Sequence, residues 1–161
     1  FQMKFGKDAL AGIYKRSDVF FCNKEEAQRI LETDEDDIKK LLKAMSALGP
    51  KIVVITDGVK GAYSYDGSTL LTTGGPEMLF MPPYPDPAPP LERTGAGDAF
   101  SSTFTVALAL GKSVREAIMW APINPMSVVQ QIGAREGLLT QKQIEEYLKT
   151  APADYIPKIL D

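Results

Sequence analysis

The apolar positions change period along the chain, and each change marks an element. Asp18-Val19-Phe20-Phe21-Cys22 is a short apolar run ending at Asn23, which predicts a strand, and the polar stretch after it favours helix. Between Asp36 and Leu48, the residues Ile38, Leu41, Leu42, Met45 and Leu48 fall on one helical face. Thr33 with Asp36 has the spacing of a capping box at the start of that helix, and Gly49-Pro50 stops it. Lys51 to Thr56 is nearly continuous β-branched sequence, which predicts a strand covered on both faces. Gly61 to Thr73 alternates about Asp66-Gly67, which predicts a hairpin turning at that dipeptide. Seven prolines between Pro76 and Pro90 predict an extended, irregular connection around Met78-Leu79-Phe80-Met81. Beyond Asp98 the helical period dominates. One helix is predicted to end at Gly111, with Phe100, Phe104 and Leu108 on its inner face. Another starts near Ser113, and a third is opened by Thr140 with Gln143. Strand, helix, strand, hairpin and helices in this order predict an α/β sheet protein.

Composition narrows the class. A chain of 161 residues is expected to form one domain, spanning 1–161, with a core of its own. Its 44% hydrophobic and 24% charged residues are those of a globular protein. A net charge of −3 leaves no electrostatic footprint for nucleic acid, and no apolar run reaches the length of a membrane span, so neither partner is expected. The single cysteine, Cys22, excludes an internal disulfide and fits a cytoplasmic location. The chain contains no histidine, which removes Ser–His, Cys–His and His–metal mechanisms. Carboxylates, lysines, backbone amides and bound ions remain as the available chemistry.

One stretch calls for such chemistry. In Leu91-Glu92-Arg93-Thr94-Gly95-Ala96-Gly97-Asp98-Ala99-Phe100, two glycines and an alanine stand where a helix is about to begin. A helix start leaves four N–H groups without intrahelical partners and carries partial positive charge. With no side chain at Gly95 and Gly97 and only a methyl at Ala96, an anion can approach those amides closely. Asp98 places a carboxylate at the edge of this cradle. On these residues alone, a plain glycine-rich loop with an ordinary early-helix acid is an equal reading.

The segment Thr94-Gly95-Ala96-Gly97-Asp98-Ala99-Phe100 resembles the second signature of the ribokinase-like (PfkB) carbohydrate kinases, Asp-Thr-x-Gly-Ala-Gly-Asp opening a helix. Three further elements agree in order. Asn23-Lys24-Glu25-Glu26 is similar to the family's Asn-x-x-Glu after a strand, Thr56 to Gly61 to its Thr-x-Gly-x-x-Gly turn, and Gln131-Ile132-Gly133-Ala134 to its Arg-x-Gly-Ala turn. The likeness spans residues 17 to 148 and matches the family's C-terminal, nucleotide-binding half. It implies a ribokinase-like fold, a mostly parallel sheet flanked by helices with a β-hairpin. It also implies ATP-dependent phosphoryl transfer to a hydroxyl of a sugar-like substrate. Asp98 would be the general base, and the amides of Gly95, Ala96 and Gly97 the anion hole. Asn23, Thr56, Asp57, Gly58, Gly61, Thr94 and Gly97 would bind the nucleotide, and Asn23 and Glu26 would reach Mg2+ through water or phosphate. Glu92, Thr94, Val128, Gln131 and Gly133 would be ligands of a monovalent cation such as K+.

The chain also departs from the pattern. Glu92 stands for the usual aspartate, Arg93 for a small residue, Gln131 for the common arginine, and Pro122 where many members place Asn or His beside adenine. The family's N-terminal half, with its sugar-recognising aspartate and lid, has no counterpart in these residues. The chain is therefore expected to be inactive alone and to self-associate or pair with such a half. Structural readings stand beside the functional ones. Asn23 and Glu26 could form a strand-end turn and a helix-face acid, Gly58 and Gly61 could only shape a turn, and Lys60 could be solvated. Met119, Trp120 and Met126 read as core. A nucleotide-binding or interaction domain without catalysis is the alternative function.

Overall fold

The computed structural model describes residues 7–67 and 76–160. These fall into two compact units, one running through Phe80 and taking in Ile159 and Leu160, the other Met81–Lys158. A mixed five-stranded sheet has the strand order β1-β2-β3-β4-β5, with β1 Val19–Asn23, β2 Ile52–Thr56, β3 Ala62–Asp66, β4 Glu77–Met81 and β5 Lys158–Ile159. Strand β1 runs parallel to β2, and β3 runs antiparallel to β2.

In the first unit, a short helix α1 (Ala11–Tyr14) precedes β1, and α2 (Lys24–Leu31) and α3 (Ile38–Ala47) cross from β1 to β2. Alternate residues of a strand face opposite sides, and β2 is buried on both: Ile52, Val53, Val54 and Ile55 are all at most 2% exposed. This is the doubly covered strand that its continuous β-branched sequence requires. Val53 and Ile55 lie in one core cluster with Phe20 and Cys22 of β1, Ala27 and Ile30 of α2, and Leu41, Leu42 and Met45 of α3. Burial of each such aliphatic side chain stabilises the fold by about 1.5–3 kcal/mol. Tyr63 and Tyr65 of β3 pack against the same cluster. On the opposite face, Ile52 stands across from Asp66 and Val54 from Ser64, so two buried polar residues share that side with apolar ones.

One local expectation changes. Helix α3 is capped by Asp37, whose carboxylate accepts from Lys39 N–H at 2.9 Å, and not by Thr33 with Asp36. The Glu35 carboxylate takes the N–H groups of Asp36 and Asp37, both at 3.0 Å, and this turn delays the helix. Thr33 closes a smaller turn onto Glu35 N–H, and Asp36 pairs with Lys24. The helix stops as expected before Gly49, whose φ of +133° and closeness to the Lys15 backbone leave no room for a side chain. Strands β2 and β3 form a hairpin around residues 57–61, ahead of the Asp66-Gly67 signal, while Asp66 closes β3 opposite Ile52 and Gly67 N–H donates to Lys51 O at 3.0 Å. The returning arm expected at 68–73 lies outside the described residues.

The proline-rich connection contains β4, an apolar run bounded by prolines on both sides. The second unit then forms four helices: α4 (Ala96–Ala109), α5 (Val114–Trp120), α6 (Ile123–Val128) and α7 (Gln141–Lys149). Ser113 with Glu116 and Thr140 with Gln143 form reciprocal capping boxes at the starts of α5 and α7. Phe100 and Phe104 are buried in α4 beside Ala99, Thr103 and Ala107, whereas Leu108 is only half-buried. Trp120 and Met126 are core residues, and the Lys112 ammonium covers the Trp120 ring at 4.5 Å. Helix α6 has no signal in the periodicity, because its six residues include Pro125 and cover less than two turns. Among the described residues no helix is long and apolar enough to cross a membrane.

Burial pushes the Cys22 thiol up to about 12, so the thiolate that reacts with alkylating agents is scarce. Iodoacetamide at pH 8 is expected to leave Cys22 unmodified in the folded protein and to label it fully in denaturant. Mass spectrometry reads the difference, and rapid labelling of the folded chain would contradict the core described above.

Candidate functional site

Asn23 and Thr56 are neighbours at the carboxyl ends of two adjacent parallel strands, paired in register as the last residues of β1 and β2. Ligands of open α/β sheets bind outside such strand ends. Asn23 also caps α2: its Oδ1 accepts from Glu26 N–H, Glu26 Oε2 accepts from Asn23 N–H, and both bonds are 2.8 Å. The structural reading of this pair therefore holds, whatever else the two residues do. After Thr56 the chain makes a 3-10 turn, Gly58–Lys60, closed by Asp57 N–H donating to Gly61 O at 2.8 Å. Gly58 at φ +53° and Gly61 at +107° supply the backbone angles this tight reversal needs. Lys60 is mostly exposed and lies 3.4 Å from the Asp57 carboxylate.

Lys24 was not singled out by its pattern. Its ammonium lies 2.5 Å from Asp36, and that partner raises its pKa, while Lys24 in turn lowers that of Asp36. The pair ties the loop before α3 to the start of α2, beside Asn23.

In the second unit, Gly95 caps α4 with φ +81°, a left-handed conformation. A Cβ on Gly95 would stand 2.6 Å from Ala134 O and 2.8 Å from Ala134 Cα, so only glycine fits. Gly97 is the opposite case: a Cβ there would meet nothing within 4 Å. The space beside the first turn of α4 is open where the expected anion would enter. Ala96 N–H closes a turn onto Arg93 O at 3.3 Å, so of the three expected amides it is the one already partnered. Asp98 is exposed in the first turn. Along the same helix Thr103 donates to Ala99 O and accepts from Asn124, both at 2.7 Å, and Asn124 Oδ1 accepts from Leu139 N–H at 2.7 Å. Asn124 was missed from the sequence. Its signal, one amide inside a short apolar segment, is weak, yet it holds α4, α6 and the start of α7 together.

The five residues expected to ligate a monovalent cation are partly brought together. Glu92 Oε2 accepts from Gly133 N–H at 3.0 Å, and the Thr94 hydroxyl is near the same carboxylate. These two neighbours, Thr94 first, hold the Glu92 carboxyl below its ordinary range. Leu91 N–H donates to Val129 O at 2.8 Å and joins the same two segments. Val128 lies at the end of α6, with its carbonyl accepting from Gln131 N–H at 3.0 Å, and the Gln131 side chain is exposed. Among the described residues no group of three or more His, Cys, Asp or Glu is placed to hold a metal ion.

Comparison with known proteins bears on this arrangement. Residues 2–141 match the pfkB family carbohydrate kinase. A cytidine kinase from Thermococcus kodakarensis is 33% identical over 112 residues, 70% of this chain and 37% of that protein. A ribokinase from Bacillus subtilis is 35% identical over 102 residues, 63% of this chain and 31% of that protein. The structure of Arabidopsis thaliana ribokinase complexed with ribose and ATP superposes with a TM-score of 0.74 at 25% identity, over 86% of this chain and 43% of that one. The fold is therefore α/β and ribokinase-like. The chain spans about two-fifths or less of the length of these relatives.

The two glycines of the α4 turn predict opposite responses. Gly95→Ala is expected to destabilise the protein by about 1–3 kcal/mol, through strain at positive φ and overlap with Ala134. Gly97→Ala is expected to be neutral or to stabilise by about 0.4–1 kcal/mol, since nothing opposes its methyl group. Urea unfolding of both variants separates these outcomes, and equal losses would contradict the turn geometry.

Proposed function

Because the chain belongs to the pfkB family of carbohydrate kinases, we propose that it carries the nucleotide-binding and phosphoryl-transfer residues of an enzyme that phosphorylates a hydroxyl of a sugar or sugar-like acceptor from ATP. The observation that carries this reading is the start of α4: a glycine turn with no room for a side chain, open space beside Gly97, and Asp98 in the first turn. Phosphoryl transfer needs little from a protein beyond position and charge stabilisation, and this turn provides both. The Asp98 carboxylate takes the proton of the acceptor hydroxyl as that oxygen bonds to the γ-phosphorus. The bond from phosphorus to the β–γ bridging oxygen breaks, and ADP leaves. Negative charge on the transferring group lies against the N–H groups of the first turn, chiefly those of Gly97 and Gly95, where the helix dipole favours it.

The first unit contributes nucleotide contacts in this reading. Thr56, Asp57, Gly58 and Gly61 lie in a turn whose backbone can follow phosphates closely. Magnesium bound with ATP would neutralise phosphate charge, and it usually keeps several waters and few protein ligands. Asn23 and Glu26 would reach it through water or phosphate from their place at the start of α2. The acceptor's identity and its pairing with these residues belong to the whole protein. Strand β1 is an outer strand of the described sheet, and we propose that a second copy or a further part of the protein pairs with it.

In the complete protein, Asp98→Asn is expected to lower kcat by about 10²–10⁴-fold while ATP affinity stays near normal. Steady-state kinetics over a panel of sugars and nucleosides, with a parallel ATP titration, measures both. Undiminished turnover would remove Asp98 from the base role. ATP binding without turnover on any acceptor by the unmodified protein would favour the non-catalytic nucleotide-binding reading. Gly97→Val is expected to weaken magnesium-ATP binding at least about tenfold, since a branched side chain would fill the open space over the amides. Unchanged binding would show that this turn does not hold the phosphates.

A further inference from the structure

Glu92 has a geometry its expected role does not account for. A cation ligand needs oxygen atoms turned toward a common point, but the backbone group turned toward this carboxylate is a hydrogen-bond donor, the Gly133 N–H at 3.0 Å. The Val128 carbonyl is engaged by Gln131 N–H. This donor thus fits an anion held by the protein, and that anion is Glu92 itself. Its side chain is one methylene longer than aspartate, which is what carries Oε2 across to the second segment.

The two segments so joined are the turn 91–95 and the loop 129–134. Leu91 N–H and Glu92 N–H both donate to Val129 O, at 2.8 and 3.4 Å. Ala134 lies directly against Gly95. Backbone contacts therefore hold the two ends of the junction, at Leu91 and at Gly95, and the Glu92 carboxylate closes its middle. A charged acceptor makes hydrogen bonds roughly twice as strong as a neutral one, so this bridge carries much of the junction's order. The first amides of α4 follow immediately after Gly95, and their direction is set by how that turn is held.

We propose that Glu92 is a positioning residue for the phosphoryl-transfer turn, its carboxylate accepting the Gly133 N–H to fix the start of α4 against the 129–134 loop in place of a bound monovalent cation. The proposal rests on the kinase reading above. It predicts that order in the junction is built in and does not depend on added K+.

The test uses the complete protein as wild type, Glu92→Ala and Glu92→Gln, with amide hydrogen exchange at Gly133 and ATP affinity as readouts. Each is measured in K+ and in tetramethylammonium at equal ionic strength. In the wild type, exchange and affinity are expected to agree within about twofold between the two salts. Glu92→Ala is expected to speed Gly133 exchange about tenfold or more and to weaken ATP several-fold. Glu92→Gln, which keeps an acceptor oxygen, is expected to recover most of both. Slower Gly133 exchange or tighter ATP binding in K+ would overturn the proposal, as would unchanged exchange in Glu92→Ala. A wild type that binds no ATP, yet shows the expected exchange pattern, would instead overturn the kinase reading and the positioning role with it.

Discussion

The backbone of residue 95 and the backbone of residue 134 lie too close together for any side chain between them, and the second unit is arranged around that contact. Gly95 meets the requirement by having no Cβ, and its left-handed conformation turns the chain directly into α4. The helix is then held along its length by Phe100 and Phe104 in the core and by the Thr103–Asn124 pair. An orphaned amide in water is ordinary, but a row of amides held by a rigid turn is a site for negative charge. The rigidity comes from the turn's neighbours, Leu91, Glu92 and Ala134, and not from the glycines, which by themselves would favour a floppy loop.

The first unit solves a different problem with the same economy. Strand β2 must bury both faces, and α2 and α3 supply the apolar side chains that cover one of them. That arrangement places Asn23 and Thr56 side by side at the strand ends. The capping box at Asn23 means that the residue which ends a strand also starts a helix, so its position is determined twice. A polar residue fixed in this way can meet a ligand without having to be ordered first, which lowers the entropic cost of binding. The β2–β3 hairpin around residues 57–61 gains similarly, since its two strands fix both ends of the turn.

Much of this was legible from the residues. The helix spacing of Leu41, Leu42 and Met45, the β-branched run of β2, and the caps at Ser113 and Thr140 all reflect local rules: period, branching and a side chain that reaches its own backbone. Four short motifs in order indicated the family, although each alone has a plain structural reading, and at Asn23 and Glu26 that reading is also true. Where local rules competed, sequence reasoning chose the wrong winner. Thr33 and Asp36 had the right spacing for a cap, but Glu35 took the N–H groups of the turn and moved the helix start to Asp37.

The sequence by itself determined the types of the longer elements, though not β4 or α6, as well as the presence of a glycine cradle before a helix and the chemistry left to a chain without histidine. These depend on residues within a few positions of one another, where sequence distance and spatial distance agree. Only the tertiary structure decided which glycine is obligatory, since Gly95 and Gly97 look alike until Ala134, 39 positions beyond Gly95, is placed against one of them. It likewise decided that Glu92 faces a donor, because the Gly133 amide reaches it from 41 positions away. A contact across that separation is set by how α5 and α6 fold the chain back, which no local pattern encodes.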